Sequence, residues 1–145
     1  MNYYSLNNIA PTTTFENAVI KGLAPDRGLY FPESITPLDA SFFENIETLS
    51  NEAIAFEAIQ QFISPEIPET VLRTIVSETL NFDFPVVSLT KSISTLELFH
   101  GPTMAFKDVG ARFMARCLGY FNKDNSNEVN VLVATSGDTG GAVAN

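Results

Sequence analysis

The stretch Val129-Asn130-Val131-Leu132-Val133-Ala134 constrains this chain more than any other. It is a near-continuous apolar run with polar residues on both sides, the pattern of a β-strand buried on both faces. It runs directly into Thr135-Ser136-Gly137-Asp138-Thr139-Gly140-Gly141, and a helix is expected to start at Ala142. A buried strand, a glycine-rich turn and a helix form the opening of a doubly wound α/β sheet. One buried strand cannot make a parallel sheet alone. The sequence, which stops at Asn145 as that helix begins, is therefore expected to be a truncated piece of a longer enzyme.

Upstream, the periodicity changes. Thr13 or Thr14 can cap a helix running to about Leu23, with Phe15, Ala18, Val19 and Leu23 on one face. Ala24-Pro25-Asp26-Arg27-Gly28 has turn chemistry, and Leu29-Tyr30-Phe31 is a short strand stopped by Pro32. Two further helices fit Asn51 to Ile63 and Glu69 to about Leu80. After Asn81 to Pro85, strands are expected at Val86 to Leu89 and Thr95 to Phe99, joined by a turn over Lys91 to Ser94. A helix from about Asp108 to Phe121 would turn Val109, Phe113, Met114, Cys117, Leu118 and Phe121 inward, and Asn122 to Asn127 is a polar loop. The expected division is a helical N-terminal domain at 1–85 and the start of an α/β domain at 86–145.

Charge and composition narrow the function classes. Hydrophobic residues make up 45% and charged residues 17% of the 145 residues, a globular balance and not a disordered one. The formal net charge of −9 argues against general affinity for nucleic acid or an anionic membrane, since both attract basic patches. A small anionic substrate is still compatible with a local pocket. Cys117 is the sole cysteine, so no intrachain disulfide can form. No secretory leader or membrane span is legible, and a soluble, cytoplasmic protein is expected.

Two stretches carry chemistry. In Glu97-Leu98-Phe99-His100-Gly101-Pro102-Thr103-Met104-Ala105-Phe106-Lys107-Asp108, the lysine opens a helix. The positive end of the helix dipole and apolar neighbours both disfavour its ammonium form, as a nucleophilic Schiff-base lysine requires. Asp108 opposes this unless Arg112, four residues on, engages it. On the residues alone, an ordinary surface lysine at a helix start is favoured. The second stretch, Thr135 to Gly141, offers hydroxyls and backbone N–H groups to a small anion. It matches neither the dinucleotide fingerprint nor a P-loop. A tight turn capped by Asp138 fits about as well.

Taken together, Leu98 to Asp108 and Ala134 to Ala142 resemble the signature segments of the threonine synthase family, and Gly22 to Pro32 resembles its N-terminal domain. The resemblance covers nearly the whole chain. It departs mildly at Arg27, where Gly is expected, and at Val109, where Phe is expected. It implies a pyridoxal 5'-phosphate lyase of the tryptophan-synthase-β-like fold (fold type II), converting O-phosphohomoserine and water to threonine and phosphate. Lys107 matches the family lysine that holds the cofactor as a Schiff base and then shuttles protons. Thr135, Ser136, Gly137, Asp138 and Thr139 match the loop facing the substrate's anionic groups and the cofactor ring, with Asp138 near the ring hydroxyl. No metal is implied. The loop for the cofactor phosphate and the partner of the pyridine nitrogen are expected beyond Asn145, so residues 1–145 alone should be inactive and bind cofactor poorly.

The remaining residues have plainer readings. His100 suits a structural hydrogen bond in its loop, although it could contact a phosphate. Arg112 and Arg116, one helical turn apart, could attract phosphate but are expected to form a solvated face paired with Asp108, and Cys117 is expected in the core. The competing activities are a serine or threonine dehydratase of the same cofactor fold, a threonine-synthase-like phospholyase, and a non-catalytic interaction module. The intact Lys107 argues against the last.

Overall fold

The computed structural model describes residues 1–125 and 129–145. The chain forms two compact units, Met1–Ser77 and Glu78–Asn145.

The first unit is built on a three-stranded antiparallel sheet with β1 (Asn2–Ser5) between β2 (Thr13–Thr14) and β3 (Tyr30–Pro32). Tyr3 lies opposite both Thr13 and Pro32. The helical N-terminal domain expected here, with one short strand at Leu29 to Phe31, thus gains two further strands, β1 and β2. Four residues of β1 are too few for a period-2 signal to stand out. Pro32 does not stop β3 but ends it in register, because β3 is an edge strand and the missing N–H costs no ladder bond there.

Helix α1 (Phe15–Lys21) starts at Thr14, whose hydroxyl accepts from the Asn17 N–H at 3.2 Å. The Glu66 carboxylate accepts two more of the N-terminal donors, from Phe15 and Glu16, each at 2.9 Å. Three otherwise unpaired N–H groups are thus satisfied, and a negative charge sits at the positive end of the helix. The helix stops at Gly22, whose φ of 70° continues no helix. A short helix α2 (Ala40–Asn45) and a 3-10 turn (Ile46–Thr48), neither expected from the periodicity, lead to α3 (Asn51–Ile63), capped by Ser50. Helix α4 (Glu69–Thr79) follows Pro68. The core consists of Phe56, Ile63, Ile67, Leu72, Ile75 and Val76 with Tyr3 and Ala24. The Tyr3 hydroxyl donates to the Phe62 carbonyl at 2.7 Å. Burial first, and the Glu66 charge second, push that hydroxyl up to about 12.

Asp26 organises the sheet's loops. Its Oδ1 accepts from the Ser5 hydroxyl at 2.6 Å and the Gly28 N–H at 3.0 Å, and its Oδ2 from Ile9 and Ala10 at 3.1 and 2.8 Å. The neighbouring Arg27 has φ 66°, a left-handed conformation that glycine adopts without cost. This gives the departure at Arg27 a physical meaning. Gly28 has no room for a side chain, since a Cβ would lie 2.9 Å from the Asn7 nitrogen.

In the second unit, β4 (Val86–Ser88) and β5 (Ser94–Leu96) form an antiparallel hairpin, with Val87 opposite Thr95. The second strand ends at Leu96 rather than Phe99. Helix α5 (Lys107–Asn122) opens on the lysine itself, and α6 (Asp138–Ala144) begins four residues before the expected Ala142. Met114, expected inside, is 40% exposed.

The expected strand at Val129 to Ala134 does not form, and no parallel pairing exists among the described residues. Its apolar side chains are exposed, Leu132 to 94%. A strand is defined by its neighbours' hydrogen bonds, and this run has none to pair with among the described residues. The doubly wound sheet is therefore absent from this structure. Of the polar loop expected at Asn122 to Asn127, the last two residues lie outside the described set.

Two predictions follow from the first unit. Ile63 is fully buried, so Ile63→Ala should cost about 2–5 kcal/mol in chemical denaturation. The Asp26 carboxyl is held down at about 2, first by the Ser5 hydroxyl and then by the backbone N–H groups of Gly28, Ala10 and Ile9, with burial opposing. An unfolded aspartate titrates near ~3.9, so Asp26 stabilises the fold above that pH and loses the effect as pH falls through about 2. Asp26→Asn should lower the melting temperature at pH 7, with a gap to the unsubstituted protein that closes as the pH drops from about 5 to 2.

Candidate active site

Helices α5 and α6 pack against each other, and this brings the two chemistry-bearing stretches together. Lys107, the first residue of α5, and Thr139, in the first turn of α6, line one groove of about 350 Å³ with Phe106, Gly110, Met114 and Val143. Lys107 and Thr139 are the lining residues with polar side chains. Lys107 is exposed, and no hydrogen bond or ion pair engages its Nζ among the described residues.

The loop before Lys107 is tightly held. The Met104 N–H donates to the Gly101 carbonyl at 3.0 Å, with Met104 in the left-handed region at φ 57°. The Asp108 carboxylate is buried and accepts from the Thr103 N–H at 3.0 Å and from the Thr103 hydroxyl. Gly101 packs so closely that a Cβ there would lie 2.9 Å from the Asp108 Cβ. The expected pairing of Asp108 with Arg112 and Arg116 is therefore corrected. The Asp108 side chain turns back to the loop, where two donors wait. Arg112 donates instead to the Glu78 carbonyl at 2.7 Å and to Asn81 Oδ1 at 3.0 Å, and Arg116 to the Glu78 carboxylate at 2.7 Å.

Of the second stretch, only Thr139 lines the groove with Lys107. Thr135, Ser136, Gly137 and Asp138 are exposed. The Thr135 hydroxyl accepts from the Gly137 N–H at 3.3 Å, and Gly137 takes φ 142°, closed to other residues without strain. Asp138 is the first residue of α6. A Cβ at Gly140 would stand 2.6 Å from Thr135 Cγ2, so the exposed Thr135 side chain would have to move for any larger residue there.

The other candidates are structural. His100 Nε2 lies 2.6 Å from Glu97 Oε2, and its ring stacks on Phe99 at 4.8 Å. Cys117 is buried, and burial pushes its thiol up to about 12, so it is no nucleophile at neutral pH. Among the described residues, no group of three or more His, Cys, Asp or Glu side chains could hold a metal ion. Sequence reasoning missed Phe106, Met114 and Val143 as groove walls and the link between Asp108 and Thr103. A charged residue in a first helical turn gives no sign that it will be buried.

A family model described as the threonine synthase N terminus matches residues 2–80, more than half of the chain. The chain belongs to this threonine synthase family. Threonine synthase of Buchnera aphidicola subsp. Acyrthosiphon pisum (strain APS) is 42% identical over 149 residues, covering 100% of this chain and 34% of that protein. Among solved structures, threonine synthase from Escherichia coli matches with a TM-score of 0.91 at 38% identity, covering 99% of this chain and 33% of that one. PLP-bound threonine synthase from Brucella melitensis matches with a TM-score of 0.89 at 35% identity, over 99% of this chain and 32% of that one. The chain spans about a third of the length of these threonine synthases.

The crowding at Gly140 makes a prediction for the turn that carries Thr139. Gly140→Ala should gain less than the roughly 1 kcal/mol that Ala usually brings over Gly in a helix, because Thr135 Cγ2 stands 2.6 Å from the new Cβ. Adding Thr135→Ser, which removes that methyl, should raise the melting temperature of the Gly140→Ala protein in thermal denaturation.

Proposed function

We propose that this chain is the N-terminal part of a pyridoxal-phosphate-dependent threonine synthase. In the net reaction, O-phosphohomoserine loses phosphate from Cγ and gains water at Cβ to give threonine. The observation that carries this reading is Lys107, an amine with no partner among the described residues, on a groove that also holds Thr139, in a chain of this family. The PLP-bound relative from Brucella melitensis supports the choice of cofactor.

The residues fit such a group. Pyridoxal phosphate presents an aldehyde on an aromatic ring, and the groove offers an unpaired primary amine beside the apolar surfaces of Phe106, Met114 and Val143. When bound, the cofactor supplies an electron sink for bond breaking at the substrate's carbon atoms. Lys107 Nζ is the group that would hold it, and once released, the same nitrogen takes and returns protons at the substrate. The Thr139 hydroxyl, at the same groove, is placed to donate to an anionic oxygen. Thr135, Ser136, Gly137 and Asp138 complete the substrate-facing loop, with Asp138 toward the ring hydroxyl. Residues 1–85 make the N-terminal domain and 86–145 begin the cofactor domain. There Val131, Leu132 and Val133 join a parallel sheet supplied by the rest of the protein. The setting proposed is the cytoplasm; no helix of the described residues is long and apolar enough to cross a membrane.

The test uses the full-length protein. Lys107→Ala should abolish both threonine release and the visible absorbance of the bound cofactor, while Lys91→Ala keeps both. Threonine release that survives Lys107→Ala would overturn the assignment.

A further inference from the structure

We propose that Asp108 is a positioning residue: with Thr103 it clasps the loop before Lys107 and so aims the Lys107 amine. The proposal rests on the reading of Lys107 given above.

A carboxylate in the first turn of a helix usually stays in water, or serves the helix's own N–H groups. Asp108 does neither. It is 1% exposed, no cation pairs with it among the described residues, and its oxygens reach backward to Thr103. Burying a carboxylate is unfavourable unless hydrogen bonds replace water. Here both replacements come from one residue, the N–H and the hydroxyl of Thr103. The helix start itself receives no side-chain cap, since Phe106 occupies that position.

The geometry closes a small ring of chain. Thr103 stands before Lys107 and Asp108 after it, and their side-chain link spans the residues between. Within that ring the Asp108 N–H donates to the Ala105 carbonyl at 3.0 Å, and Met104 is fixed in the left-handed region. Gly101 lets the chain pass against the Asp108 side chain. The backbone on both sides of Lys107 is therefore fixed, while its amine has no partner of its own among the described residues. An amine that must meet an aldehyde at one angle needs that combination.

The experiment measures the amine directly. Full-length protein stripped of cofactor is mixed with pyridoxal phosphate, quenched with borohydride at timed intervals, and the label is mapped by peptide mass spectrometry. In unsubstituted protein the label should appear first at Lys107. In Thr103→Val, which keeps the shape and loses the hydroxyl, the initial rate at Lys107 should fall about tenfold, and the rate at Lys91 should not change. Thr103→Ser, which restores the hydroxyl, should restore the rate, and Asp108→Asn should behave like Thr103→Val. Should Asp108→Asn fail to fold by circular dichroism, the two Thr103 variants decide. Unchanged labelling of Lys107 in folded Thr103→Val would overturn the clasp and leave the Lys107 reading intact. Absence of label at Lys107 in the unsubstituted protein would overturn both.

Discussion

Helix α6 packs against α5, and this approach brings Thr139 to the groove that Lys107 lines. Gly140 adds a steric condition, because a Cβ there would meet the Thr135 side chain. The chemistry proposed for the chain rests on this packing. Lys107 and Thr139 are 32 residues apart in sequence, and the packing of α6 on α5 puts them at one surface.

A second pattern runs through both units. The chain has 17 acidic residues and 8 Lys and Arg, so most carboxylates cannot find a cation. At least four of the described ones take backbone N–H groups instead, Asp39 at the start of α2 among them. Asp26 holds the loops around β1 and β3, Glu66 caps α1, and Asp108 holds the loop before Lys107. A backbone N–H offers a fixed direction that a flexible lysine does not. The acidic composition therefore contributes order at turns and not merely surface charge.

How much was legible in the sequence depended on how local the cause was. Helix α3 and the start of α4 were readable because their apolar positions recur at helical spacing and their boundaries carry Ser50 and Pro68. Lys107 as the opening residue of α5 and Cys117 as core followed from the same spacing. The run at Val129 to Ala134 forms no strand among the described residues, because an apolar run states only that burial is favourable, and pairing needs a neighbour to hydrogen-bond with. Strands β1 and β2 were missed because they are too short to show a period. Lys107 and Thr139, singled out through the family's motifs, line one groove. The burial of Asp108 was not legible, since it depends on the path of Gly101 and Thr103 in space.

The central claim is that Lys107 holds the cofactor at the groove between α5 and α6. A crystal structure of the full-length protein grown with pyridoxal phosphate tests it most directly. The account predicts continuous electron density from Lys107 Nζ to the cofactor, with Thr139 on the wall of the same pocket. Density joining the cofactor to Lys91 or Lys123, or a cofactor seated away from α5 and α6, would contradict it.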